Sequence, residues 1–93
     1  MKIILNNRNL SKTLGHFNDI GFVPTMGGIH EGHISLIKRS IKSNKKTIVS
    51  IFINPKQFNS VKDFKSYPAN IKKDLAILKK IKKLDFVYIP RFN

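Results

Sequence analysis

The sequence predicts an α/β fold in which a parallel sheet is flanked by helices. Short apolar runs typical of buried strands alternate along the 93 residues with stretches whose apolar side chains recur at helical spacing. A glycine-rich turn joins one such strand to a helix, and residues 47–53 are rich in β-branched side chains, as in a central parallel strand. This order indicates a Rossmann-like sheet with helices on both faces.

The first half of the chain predicts two strands and the helix between them. An apolar run at residues 2–5 predicts the first strand, and the spacing of apolar side chains over residues 9–17 predicts the first helix. Residues 20–23 predict the second strand, which we expect to end at Pro24 because proline cannot donate to a ladder.

The second half repeats this alternation. The predicted elements are a helix that begins near Gly32 or His33, a strand over residues 47–53, a loop over residues 57–68, a helix over residues 71–82 and a strand over residues 86–89. We expect residues 1–93 to form one partial domain, the N-terminal half of a Rossmann-like unit.

The composition excludes several classes of protein. A hydrophobic fraction of 41% fits a packed domain, and the lack of cysteine rules out disulfides and thiolate metal sites. The apolar runs are far shorter than the roughly 20 residues that a membrane helix needs. No membrane partner is therefore expected, and we predict a cytoplasmic protein.

The formal net charge of +13 raises the alternative of a nucleic-acid binder. Most of this charge is lysine, and the chain is also rich in isoleucine and asparagine, a bias that a genome of low G+C content would produce. Aromatic residues do not alternate with the basic ones. Binding that falls steeply with salt and ignores substitution of His30 and His33 would identify a nucleic-acid protein; we expect no such partner.

The most informative segment is PTMGGIHEGH at residues 24–33, where a strand leads into a helix. Its glycines allow the backbone to approach a ligand closely, and exposed amides at a helix N-terminus favour phosphate. His30 and His33 lie in the first turn and can donate hydrogen bonds to a phosphate. They could instead be plain surface residues, but the context favours function. A zinc site lacks a third ligand, so no metal site is predicted.

This segment resembles the HxGH signature of the nucleotidyltransferase superfamily, and the preceding Pro-Thr-Met-Gly resembles the pantothenate synthetase (pantoate–β-alanine ligase) family. Further stretches match that family in order, namely SIFINPKQF at residues 50–58, DF at 63–64, YP at 67–68 and DL at 74–75. The resemblance covers about residues 21–90 but only the N-terminal part of the family's usual length. Later ATP-binding elements and a C-terminal lid domain have no counterpart here.

The resemblance implies a set of site residues. His33, usually assigned as the general acid, and His30 would be catalytic, and Gln57, Asn54 and Tyr67 would contact pantoate or β-alanine. The implied ATP-binding residues are Met26, Gly27, Gly28, Ile29, His30, Glu31, Gly32 and His33. Gly28 stands where the family often has Ala or Asn, a change that we expect to be tolerated. Asp74 could be a solvated salt-bridge partner or a magnesium ligand, and it is left unassigned.

The resemblance also implies a reaction, in which ATP with Mg²⁺ activates pantoate as an adenylate and β-alanine then displaces AMP. A homodimer is expected on the same ground. Two alternatives stay open: an inactive nucleotide-binding remnant, and another HxGH nucleotidyltransferase. The latter usually has a Gly-Ser/Thr-Phe-Asp-Pro loop before its histidines, which differs from the loop of this chain.

Overall fold

The computed structural model describes residues 1–52 and 67–90, which form a four-stranded parallel sheet in the order β1-β4-β3-β2. The elements in chain order are β1 (Lys2–Ile4), α1 (Asn7–Leu14), β2 (Ile20–Thr25), α2 (Glu31–Ser43), β3 (Lys46–Ile51), α3 (Tyr67–Lys79) and β4 (Phe86–Tyr88). All three strand pairs are parallel. The predicted alternation and fold class are thus confirmed.

The helices cover both faces of the sheet. On one face, Ile37 of α2 and Leu78 of α3 are fully buried against Val49 and Val87 of the two central strands. On the other face, α1 and the turn after it pack on a smaller cluster around Ile48. β3 is buried along nearly its whole length, as its β-branched composition predicts. Among the residues that the structure describes, no helix is long and apolar enough to cross a membrane.

Two predicted boundaries near the start of the chain were wrong. The first helix begins at Asn7, two residues earlier than expected, because the side chain of Asn6 caps it by accepting a hydrogen bond of 2.8 Å from the amide of Asn9. The second strand does not end at Pro24 but continues to Thr25. Proline is tolerated there because β2 lies at an edge of the four-stranded sheet, where its missing N–H breaks no ladder hydrogen bond.

The later boundaries also shift. α2 begins at Glu31, slightly before the predicted start, and α3 begins at Tyr67, inside the segment predicted as a loop. The third strand ends by residue 51, and the rest of the predicted loop lies outside the described residues.

A carboxylate ties the amino end of β4 to that of β3. Asp85, just before β4, accepts a hydrogen bond of 2.9 Å from the amide of Thr47 and lies 3.5 Å from the Nζ of Lys46. These contacts join β4 to β3 at the end of the sheet opposite the glycine-rich loop. They therefore stabilise the fold without contacting that loop.

Candidate active site

The glycine-rich loop follows the carboxyl end of β2 and leads into α2. Gly27 and Gly28 have φ angles of 86° and 66°, in the left-handed region that favours glycine. Thr25, the last residue of β2, is buried, and its Oγ1 donates to the carbonyl oxygen of Ser50 on β3 at 2.8 Å. The Oγ1 of Thr25 also accepts a hydrogen bond of 3.2 Å from the amide of Gly27. The start of the loop is therefore fixed to the two adjacent strands.

A buried carboxylate from α3 holds the middle of the loop. Asp74 is 4% exposed, and its two oxygens accept hydrogen bonds from the amides of Gly28 at 3.1 Å and Ile29 at 2.9 Å. Charge-assisted bonds of this kind are stronger than those between neutral groups. Asp74 is thus neither a solvated side chain nor part of a surface salt bridge.

The two histidines cap α2 reciprocally. His30 is the N-cap residue, and its Nδ1 accepts a hydrogen bond of 3.0 Å from the amide of Gly32. The Nδ1 of His33 in turn accepts a bond of 3.2 Å from the amide of His30. A neutral imidazole that accepts at Nδ1 carries its proton at Nε2. Both rings can therefore donate a hydrogen bond from Nε2, and their centroids lie 4.0 Å apart.

The surroundings favour the neutral form of His33. Partial burial and the neighbouring His30 lower the pKa of His33 below its ordinary value of 6.5, whereas the Asp74 carboxylate acts in the opposite direction. At neutral pH the Nδ1 of His33 is therefore unprotonated and accepts the hydrogen bond from the amide of His30. Its Nε2–H remains a donor without requiring a charged imidazolium.

The glycine between the histidines is required by close packing. A Cβ placed on Gly32 would lie 2.9 Å from Cε1 and 3.2 Å from Nδ1 of His30, closer than ordinary van der Waals contact. Gly28 differs, since nothing lies within 4 Å of a Cβ added there. Gly28 serves the backbone conformation, since its φ of 66° would strain a side chain despite the open space, asparagine less than others.

The loop amides are arranged differently from the sequence expectation. We expected them to be exposed to a phosphate, but the amides of Gly27, Gly28, Ile29 and His30 all donate to side chains of the protein. The groups that this arrangement offers to an anion include the two imidazole Nε2–H donors and the positive end of the α2 dipole. The site is therefore suited to an oxyanion such as a phosphate, held mainly by histidine side chains.

The structure brings together all the residues expected at the ATP loop. Met26 is 64% exposed, Glu31 is exposed at the first position of α2, and Ile29 is buried in the core. Asn54 and Gln57 lie outside the described residues. Tyr67 is the first residue of α3, and its side chain is not among those described.

Sequence reasoning missed two residues that build the site, Thr25 and Asp74. A signal for Asp74 existed, because it lies three residues after Ile71 and four before Leu78, on the apolar stripe of α3. A carboxylate on a buried helix face requires hydrogen-bond donors. Thr25 gave no comparable signal, since a threonine at the end of a strand is common.

The fold and the site together place an HxGH-type loop at the carboxyl end of a parallel strand, the edge where ligands bind in open α/β sheets. The family model for pantoate-beta-alanine ligase matches residues 2–93. The chain belongs to the pantoate-beta-alanine ligase family.

Two bacterial relatives illustrate the similarity in sequence. Over 93 residues the chain is 47% identical to the pantothenate synthetase of Pseudothermotoga lettingae, covering 100% of this chain and 33% of that protein. It is 50% identical over 97 residues to that of Endomicrobium trichonymphae, covering 100% of this chain and 34% of that protein. The chain thus spans about a third of the length of these relatives.

Two solved structures of pantoate-beta-alanine ligases superpose on nearly the whole of this chain. The crystal structure of pantoate-beta-alanine ligase from Francisella tularensis, complexed with beta-gamma ATP and beta-alanine, superposes with a TM-score of 0.79 at 41% identity, covering 97% of this chain and 35% of that one. The pantothenate synthetase of Thermus thermophilus gives a TM-score of 0.78 at 34% identity, covering 98% of this chain and 32% of that one.

Proposed function

We propose that this chain supplies the ATP-binding part of a site that condenses pantoate with β-alanine to give pantothenate. The observation that carries the proposal is the reciprocal cap, in which the Nδ1 atoms of both histidines accept backbone amides at the N-terminus of α2 and the Nε2–H groups stay available as donors. The ATP-type ligand and β-alanine in the Francisella relative support these substrates.

The chemistry requires charge stabilisation and positioning. The pantoate carboxylate attacks the α-phosphorus of ATP, giving pantoyl adenylate and pyrophosphate, and the amine of β-alanine then attacks the acyl carbon and releases AMP. Negative charge grows on the phosphate oxygens in the first step, where fixed donors such as His30 and His33 are most effective. In this proposal His33 is the general acid, and its Nε2–H is the group that would donate the proton.

Mg²⁺ would arrive with ATP as part of the substrate. In the described part of the chain, no cluster of three His, Cys, Asp or Glu side chains is placed to hold a metal ion, and both oxygens of Asp74 accept from amides. The phosphates would therefore provide most of the ligands to the ion.

Several further expectations rest on the family resemblance and stay predictions. They are the contacts of Gln57, Asn54 and Tyr67 with pantoate or β-alanine, the homodimer, and the assignment of residues 1–93 to one partial nucleotide-binding domain. The cytoplasmic location, expected from the composition, also stays a prediction.

The proposal is tested by a chimera in which this chain replaces the matching third of the Pseudothermotoga relative. AMP release with ATP, Mg²⁺, pantoate and β-alanine is measured for the chimera and for its His33→Ala form, with Ser43→Ala as a control on the exposed end of α2. We expect turnover that His33→Ala lowers by about a hundredfold, in the range typical for one removed transition-state donor. A soluble, folded chimera whose turnover is unchanged by His33→Ala would contradict the proposal.

A further inference from the structure

Asp74 occupies a position that is costly for a carboxylate. It lies within α3 with a side chain that is 4% exposed, and aspartate is an unfavourable residue in the middle of a helix. Burying a charge also costs free energy unless hydrogen bonds compensate. Within residues 1–52 and 67–90, no lysine or arginine pairs with Asp74, although α3 carries several exposed lysines. In the described part of the chain, its hydrogen-bond partners are the amides of Gly28 and Ile29.

Of these two residues, Gly28 has the least other support, because the side chain of Ile29 is buried in the core. Gly28 has a left-handed φ angle and open space around it, so its own side-chain position contributes no packing. The preceding amide, of Gly27, donates to Thr25 on β2, and the following one, of His30, donates to His33 on α2. Asp74 provides the corresponding support from a third element, 45 and 46 residues away along the chain.

From this geometry we infer that Asp74 is the positioning residue of the loop: it fixes Gly28 and Ile29 by two hydrogen bonds, and thereby aims His30 and His33 at the nucleotide. This inference rests on the proposed function for its ligand. An aspartate is required because each carboxylate oxygen accepts one amide, whereas asparagine offers a single acceptor and places an NH₂ group against the second N–H.

Two other roles make opposite predictions. If Asp74 acted mainly through its charge, its removal would tighten the binding of ATP, because a carboxylate repels phosphates. If Asp74 were a magnesium ligand, its removal would weaken the binding of ATP only when Mg²⁺ is present. If Asp74 is a positioning residue, its removal weakens the binding of ATP with and without the metal ion, because the histidines are misoriented in both cases.

The test measures the ATP dissociation constant of the 93-residue chain by calorimetry, with Mg²⁺ and with EDTA, for wild type and Asp74→Asn. The matched control is Asp85→Asn, which also removes a carboxylate that accepts a backbone amide, at the other end of the sheet. We expect Asp74→Asn to weaken binding about tenfold in both buffers, the value of one charged hydrogen bond. Asp85→Asn should leave the constant unchanged.

Binding by Asp74→Asn that is tighter, unchanged, or weaker only with Mg²⁺ would overturn the inference. Amide hydrogen exchange supplies a second readout, which does not depend on ATP. The Gly28 and Ile29 amides should exchange faster in Asp74→Asn but not in Asp85→Asn. If the wild-type chain alone binds no ATP, the same titrations are made on the chimera with the Pseudothermotoga relative, and a folded chimera that binds no ATP would refute the proposed function. Amide exchange decides the role of Asp74 in either case.

If Asp74→Asn does not fold, the wild-type chain decides the question. The amides of Gly28 and Ile29 must then exchange as slowly as hydrogen-bonded amides of the sheet. Exchange at the rate of an unprotected loop would overturn the inference.

Discussion

Substitution of Gly32 by alanine should separate binding from folding. The added Cβ would lie 2.9 Å from Cε1 of His30, so the ring must move by roughly 0.6 Å to reach ordinary contact distance. That movement lengthens the 3.0 Å bond from the Gly32 amide to the His30 Nδ1. Loss of an N-cap costs about 1 kcal/mol, and alanine regains about 0.5–1 kcal/mol over glycine in a helix. The free energy of unfolding should therefore change little.

The affinity for ATP should change far more. A displaced His30 no longer directs its Nε2–H at a phosphate, and one hydrogen bond to a charged group is worth about 1.5–3 kcal/mol, or roughly 10- to 100-fold in the dissociation constant. The assay pairs urea unfolding with calorimetric titration of ATP. Ser43→Ala, an alanine substitution at the far end of the same helix, is the control and should alter neither quantity. Wild-type affinity in Gly32→Ala would refute this reasoning.

Three further predictions concern stability. Gly21→Ala should lower the free energy of unfolding by about 1–3 kcal/mol, because its Cβ would overlap the Oγ of Ser40 where α2 packs on β2; an unchanged urea midpoint would contradict this. Thr25→Val should lower the free energy of unfolding by about 1–3 kcal/mol, because the amide of Gly27 loses its acceptor. Hydrogen exchange at the Gly27 amide should become faster. Because the pKa of His33 is lowered, its contribution to stability should be complete above pH 6.5 and decrease as the pH falls below that value. The urea midpoint should then depend less on pH in His33→Gln than in wild type, and an equal dependence would contradict this.

The sequence predicted the order of elements because each carries its own local pattern. The β-branched run of β3 and the apolar spacing of α2 agree with their structures, and the position of the loop between β2 and α2 follows from its glycines. Pro24 misled the prediction of a boundary, since whether a strand tolerates proline depends on its place in the sheet. Sheet order is a tertiary property that local patterns do not contain.

The inner support of the site could not be predicted in the same way. Thr25 and Asp74 reach the loop from separate elements, and the contact from Asp74 joins residues 45 and 46 positions apart. The motif predicted His30 and His33 as donors to a phosphate, but it also led us to expect that the amides around them face the ligand. The structure shows the amides of residues 27–30 donating to protein side chains, so the imidazoles become candidate donors to the ligand.

The most direct test of the account is long-range ¹H–¹⁵N NMR of the histidine side chains at neutral pH, with and without ATP and Mg²⁺. The chain has three histidines, so His16, on the turn after α1, is an internal control. The account predicts that His30 and His33 carry their proton at Nε2 and that ATP shifts those two nitrogens but not the ring of His16. Protons at Nδ1 of His30 and His33, or an ATP-induced shift confined to His16, would contradict it.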